Sequence, residues 1–144
     1  MKTLFDTSVL VAALVEQHPK HERAIPWLSK AKAEIFEFIV ASHSLAELYA
    51  VLTTLPLAPR ISTSVAWRLI SENIESKAKV VSLSPTEYSS IIKKLSEKGL
   101  SGGIVYDALI VGVAQKSKVE RIITLNRKHF RKVWNDDEEI LFEP

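Results

Sequence analysis

Residues 4–14 read LFDTSVLVAAL. A short β-like run, Thr3 to Phe5, ends on an aspartate and passes at once into an apolar helical segment that Thr7 or Ser8 can cap and that runs to about Glu16. The rest of the chain repeats this strand-then-helix alternation. Gln17 to Pro19 breaks the first helix, His21 to about Lys32 reads as a second, and a strand follows near Glu37 to Ala41. Ser42 or Ser44 can cap the next helix, to Leu55, where Leu45, Leu48, Tyr49 and Leu52 form an i, i+3, i+4, i+7 stripe, and Pro56 and Pro59 end it. Ser64 to Ser76 is helical, Lys79 to Leu83 a strand, and Ser84 with Pro85 opens a helix whose buried face is Tyr88, Ile91, Ile92 and Leu95. Gly99 to Gly103 is a loop, Ile104 to Lys116 a buried helix, Arg121 to Thr124 a fourth strand, Asn126 to Val133 a basic turn or short helix, and Ile140 to Phe142 an edge strand. Strands alternating with helices predict an α/β domain with a mostly parallel sheet, here one domain over residues 1–144.

Three acids stand alone in the most apolar stretches. Asp6 is the only charge between Lys2 and Glu16, Glu47 the only one between Glu37 and Arg60, and Asp107 the only one between Lys98 and Lys116. A carboxylate in such company loses hydration on folding, which is costly unless it is paired or coordinates a metal. Convergence on one shared divalent cation is the economical explanation, because hard cations such as Mg2+ and Mn2+ take carboxylate oxygens. The layout allows it. In an open α/β sheet, functional groups gather beyond the carboxyl ends of the strands, where strand order reverses. Asp6 sits at such an end, Glu47 in the first turns of the helix after the second strand, and Asp107 in the first turn of the helix before the fourth. Crowding three carboxylates would raise at least one pKa in the absence of a cation.

Composition narrows the classes. The chain has 144 residues, 47% hydrophobic and 25% charged, as soluble globular domains do. A net charge of +2 does not announce nucleic-acid binding, although a local basic patch could serve it. With no cysteine, disulfides, thiolate zinc sites and cysteine nucleophiles are excluded, and a cytoplasmic location is expected. No segment supplies the ~20 apolar residues of a membrane span.

Four segments carry a resemblance: LFDTSVLVAAL around Asp6, SHSLAELYAVLTTLP around Glu47, VYDALIVGVAQ around Asp107 and IITLNRKHF from Ile122. In that order and spacing they resemble the successive signatures of the PIN-domain ribonucleases, especially the toxin subunits of the VapBC type. The resemblance implies a three-layer α/β/α sandwich, with a mostly parallel five-stranded sheet in the order 3-2-1-4-5. It also implies an Mg2+- or Mn2+-dependent endonuclease that cuts RNA, a homodimer, and an antitoxin partner that blocks the site. Asp6, Glu47 and Asp107 each match a family metal-binding acid. The fourth signature departs from the pattern: Asn126 stands where many members have an acid, and His129 where others have Asp.

One or two ions on such carboxylates activate water and stabilise the attacking and leaving oxygens of an in-line displacement, lying ~3.5–4 Å apart when there are two. Asp6 and Asp107 are then the principal ligands, Glu47 a ligand or a base, and Asn126 an uncharged fourth donor. Thr7 and Thr124 could orient water or phosphate. Arg127, Lys128, Arg131 and Lys132 could grip RNA phosphates, with a solvated surface as the alternative. His18 and His21 flank Pro19 in a polar turn and do not read as a metal pair; His43 reads as a core or loop histidine rather than a general base. Trp67 is either a partner anchor or a core residue.

Two rivals remain. Asp6 after the first strand could form an aspartyl phosphate, as in haloacid-dehalogenase-like enzymes, but the residue two positions on is Ser8, not a second Asp. A PIN-like module that only binds RNA or protein, with weak or lost catalysis, is kept open by the missing fourth acid.

Overall fold

In the computed structural model, which describes residues 1–134 and 138–144, five strands form one sheet in the order β3-β2-β1-β4-β5, every neighbouring pair parallel. The strands are β1 (Lys2–Phe5), β2 (Glu37–Ala41), β3 (Lys79–Val81), β4 (Arg121–Ile123) and β5 (Leu141–Phe142). Their side chains alternate between two cores, the period-2 signature of a sheet buried on both faces. Phe5, Phe38, Val40 and Ile123 join one core, whereas Leu4, Ile39, Ala41 and Ile122 join the other. The sheet is therefore the middle layer of a three-layer sandwich, as expected.

The first core is closed by α1 (Thr7–Leu14), α2 (His21–Lys32), α3 (Ser42–Thr54) and α4 (Thr63–Ile70). Helix α1 carries no charge, and six of its eight residues are buried, so it is wrapped by protein rather than laid on a surface. The second core is closed by α6 (Ile104–Ser117) and α7 (Arg127–Val133), with α5 (Pro85–Glu97) packed outside α6. No helix among the described residues is long and apolar enough to cross a membrane.

Several details differ from the sequence reading. Neither Thr7 nor Ser8 caps α1: Asp6 holds the N-cap position, and its side chain makes no cap bond. Ala41 takes that position before α3, so Ser42 and Ser44 lie inside the helix. The segment from Ser64 to Ser76 is not one α-helix, because α4 gives way to a π-helical turn at Ser71–Glu75. In the α3 stripe, Leu48 and Leu52 are fully buried while Tyr49 is exposed. The largest difference is in α5. Leu95 is buried and Ile91 half-buried, but Tyr88 and Ile92 are exposed. Helix α5 has α6 as its main neighbour and meets it along a narrow seam, where Ile91 lies so close to Gly112 that a Cβ there would stand 2.6 Å from its Cδ1. A helix on the outside of another helix has no second wall to cover a wide apolar face.

Strand order reverses on either side of β1, whose neighbours are β2 and β4. Phe5 pairs with Ile123, and the Asp6 amide donates to the Ile123 carbonyl at 2.9 Å. The residues that follow, Asp6 and Thr124, are thereby set side by side at the carboxyl end of the sheet.

Candidate functional site

Asp6 is 3% exposed, and two hydroxyls aim at one of its oxygens. Ser8 Oγ donates to Asp6 Oδ2 at 2.6 Å and Thr124 Oγ1 donates to it at 2.9 Å. Each hydroxyl is also an acceptor: Leu125 N–H donates to Ser8 Oγ at 3.0 Å, and Asn126 N–H donates to Thr124 Oγ1 at 2.9 Å. A hydroxyl has one proton, and with backbone N–H groups taking a lone pair on each oxygen, both protons are directed at the carboxylate. Burial pushes the Asp6 pKa up, and these hydroxyl bonds oppose the push.

Glu47 lies in the second turn of α3, half-buried. Its Oε1 lies 3.1 Å from His43 Nε2, yet neither of these buried atoms completes a hydrogen bond. Burial raises the Glu47 pKa and the charge of Asp6 raises it further. Burial also holds His43 below the usual imidazole range. Asp107, in the first turn of α6, is pushed up to about 6 by burial and then by Asp6, with Glu47 adding a smaller push. His129 opposes the shift, its Nδ1 lying 3.9 Å from Asp107 Oδ2.

The three acids line one cleft of about 420 Å³ together with Thr7, Ser8 and Asn126. Each is pushed toward its neutral form, and the charges that act on them are one another and His129, with no Lys or Arg among them. Clustered carboxylates, a Glu47 oxygen that completes no hydrogen bond and an all-oxygen donor set fit a hard divalent ion. Among the described residues, however, no three His, Asp or Glu side chains are drawn together tightly enough to hold an ion as they stand. The fit is one of charge and donor type, and closing on an ion would require side-chain movements.

The remaining expected site residues fall in two groups. Thr124 is fully buried on Asp6, and Thr7, also buried, donates to Ser44 Oγ at 3.0 Å, tying α1 to α3 beneath the cleft. Asn126 is an exposed rim residue shared with a neighbouring cleft of about 430 Å³, which is lined by Arg127, Lys128, His129 and Arg131. Ser8, Ser44, His43 and Lys20 were not foreseen as site residues. Ser8 had a local signal, a hydroxyl two residues past a lone acid. His43 had one too, sitting one helical turn before Glu47, where i and i+4 side chains meet. Lys20 lines the cleft from the α1–α2 connection, a placement that only the fold reveals.

Comparison with known proteins follows the same lines. Residues 3–135 match the family model described as PIN domain. Ribonuclease VapC27 of Mycobacterium tuberculosis is 33% identical over 115 residues, 80% of this chain and 78% of that protein. Ribonuclease VapC40 of the same organism is 32% identical over 119 residues, 83% of this chain and 82% of that one. Among solved structures, the VapBC2 assembly of Rickettsia felis, bound to a DNA fragment from its promoter, superposes with a TM-score of 0.66 at 20% identity, covering 99% of this chain and 98% of that chain. With the family model matched over most of this sequence and a relative a third identical, the chain belongs to the PIN-domain family.

Proposed function

We infer that this protein is an endoribonuclease, the toxin component of a type II toxin–antitoxin pair, and that its activity depends on Mg2+ or Mn2+. The observation that carries the reading is the meeting of Asp6, Glu47 and Asp107 in one cleft at the carboxyl end of the sheet, each with its pKa raised. The relatives named VapC27 and VapC40 are ribonucleases, which supports RNA as the substrate.

Asp6, Asp107 and Glu47 would hold the ion, with the Asn126 amide oxygen as a neutral donor at the rim. A bound Mg2+ or Mn2+ supplies charge neutralisation and Lewis acidity at the phosphodiester. Glu47 is the ligand best suited to accept a proton from attacking water, because its Oε1 is unpartnered and its pKa is raised. Thr124 and Ser8 lock the Asp6 carboxylate in one orientation, the supporting role that outer hydrogen bonds play around ligating groups. Thr7 stands at the cleft wall, and its hydroxyl would meet phosphate by turning from Ser44. Arg127, Lys128 and Arg131, around the adjoining cleft, face the path of the strand and contact its phosphates.

Mapping RNA ends after incubation of the purified protein with total RNA, with and without chelator, tests the whole reading: new ends are expected only with Mg2+ or Mn2+. Robust cleavage in excess EDTA would remove the metal from the proposal. A homodimer and a cognate antitoxin belong to the same reading. The exposed Tyr49, Val65 and Trp67 on α3 and α4 offer apolar contact area. A monomer by light scattering across working concentrations, with no copurifying partner from the native host, would count against it.

Asn126 in place of the acid of the fourth signature also favours a second reading, a binding module with weak catalysis, and Asn126 decides between degrees of it. An amide oxygen ligates a hard cation but brings no charge. Asn126→Asp is therefore expected to tighten Mn2+ binding by about tenfold, one charge-assisted contact contributing roughly 1.5 kcal/mol or more. Asn126→Ala should weaken binding less than Asp6→Ala does. Isothermal titration of the variants reads both, and an unchanged affinity in Asn126→Asp would place residue 126 outside the metal site.

A further inference from the structure

We propose that Tyr106, backed by His43, is a stacking platform for one unpaired nucleobase of the RNA beside the cleaved bond; this rests on the endoribonuclease reading above. The two rings lie 4.9 Å apart between centroids and only 6° from parallel. They come from the two helices that carry two of the acids: His43 lies one turn before Glu47 on α3, and Tyr106 directly precedes Asp107 on α6. Their position is therefore tied to the cleft, and the contact of His43 Nε2 with Glu47 Oε1 at 3.1 Å closes the connection.

Tyr106 is 47% exposed, so part of its ring is open to solvent beside the acids. His43 covers one of its faces, and what remains open is a flat aromatic surface at the edge of a phosphate-cleaving site. A ring held from beneath is already oriented, so a base that stacks on it does not have to order it first. Bases of single strands and loops stack on such side chains, whereas those of a duplex are not free to do so. The geometry also divides the strand sensibly. The cations Arg127 and Lys128 lie beyond the Asn126 rim, where they can follow phosphates, while the aromatic pair flanks Glu47 and Asp107, where a base can turn aside. A purely structural bridge between α3 and α6 would not need half of the tyrosine in solvent.

The test uses single-stranded oligonucleotides spanning a mapped cleavage site, each with one abasic position on either side of the cut bond. Tyr106→Ala is expected to lose about tenfold or more in kcat/KM, chiefly through KM, since base–aromatic stacking contributes about 1–3 kcal/mol per base. Tyr106→Phe and Tyr106→Trp should recover most of that loss. At one abasic position the wild type should lose as much as Tyr106→Ala loses on intact RNA, and Tyr106→Ala should lose nothing further. Additive losses at every position, or equal kcat/KM for wild type and Tyr106→Ala, overturn the platform. Normal RNA cleavage by Tyr106→Ala with weakened antitoxin inhibition also overturns it and assigns the ring to protein docking. Fluorescence anisotropy of single-stranded RNA oligonucleotides of mixed sequence on Asp6→Asn, with and without Tyr106→Ala, reads binding without turnover. Tyrosine-dependent binding there, with no cleavage by the wild type, would keep the platform while sinking the nuclease reading; no dependence on Tyr106 would sink the platform alone.

Discussion

Asp6→Asn is expected to reduce RNA cleavage by roughly 10²- to 10³-fold or more, the scale on which a single well-placed electrostatic contact affects turnover, while the metal-free protein melts a few degrees higher. The two effects have one origin. Asp6 is buried, pushed toward its neutral form, and is the strongest neighbouring charge acting on both Glu47 and Asp107. An amide of the same shape can still accept the hydroxyls of Ser8 and Thr124, so the loop they anchor should survive. What disappears is a negative charge that costs stability when no cation is present and holds the cation when one is. The Asp107 titration supplies an independent check. Its pKa of about 6 should move back toward the ordinary carboxylate range in Asp6→Asn, followed by NMR. Activity within tenfold of wild type, or an Asp107 titration that ignores the substitution, would show that the acids do not work as a unit.

Much of this site was legible because burial of a charge is written in the sequence as a lone acid among apolar neighbours. Asp6, Glu47 and Asp107 each have that signature, and the strand-to-helix passage at Phe5–Thr7 gave the direction in which the first one points. The sheet order followed from the family resemblance rather than from periodicity, since parallel strands of two to five residues carry no local record of their neighbours. Residues whose roles depend on a partner far along the chain stayed hidden. Ser8 matters because Leu125 and Asp6 both reach it, and Ser44 because Thr7 does. His43 read as a core or loop histidine, and it is half-buried, but its importance lies in the tyrosine and glutamate beside it. The apolar period in α5 misled for a related reason. Periodicity reports which side chains share a face, not whether a second layer covers it, and Tyr88 and Ile92 have none.

Stability in chelator should fall as pH rises from about 4 to about 6.5, and Mn2+ should reverse the fall. Asp107 has a folded pKa of about 6 against an ordinary value of 3.8, and Asp6 and Glu47 are raised as well. Between those values the folded chain binds more protons than the unfolded one, so stability declines with pH across that window and levels off above it. The Asp107 contribution is about 1–2 kcal/mol, reduced from the full shift because a half-buried group is partly screened by water. A divalent ion needs the carboxylates ionised, so its stabilisation should grow over the same pH range in which the metal-free protein weakens. At a hundredfold excess over its dissociation constant the ion contributes about 2.7 kcal/mol, or roughly 8–10 °C in Tm for a chain of this length. Thermal melts at pH 5, 6 and 7, with EDTA and with Mn2+, would show the two curves diverging as pH rises. In Asp107→Asn the metal-free slope should become shallower, because one of the three raised carboxylates no longer titrates, and the Mn2+ increment should shrink with it. A slope unchanged in that variant would remove Asp107 from the pH dependence and leave it to other groups, Asp6 and Glu47 among them.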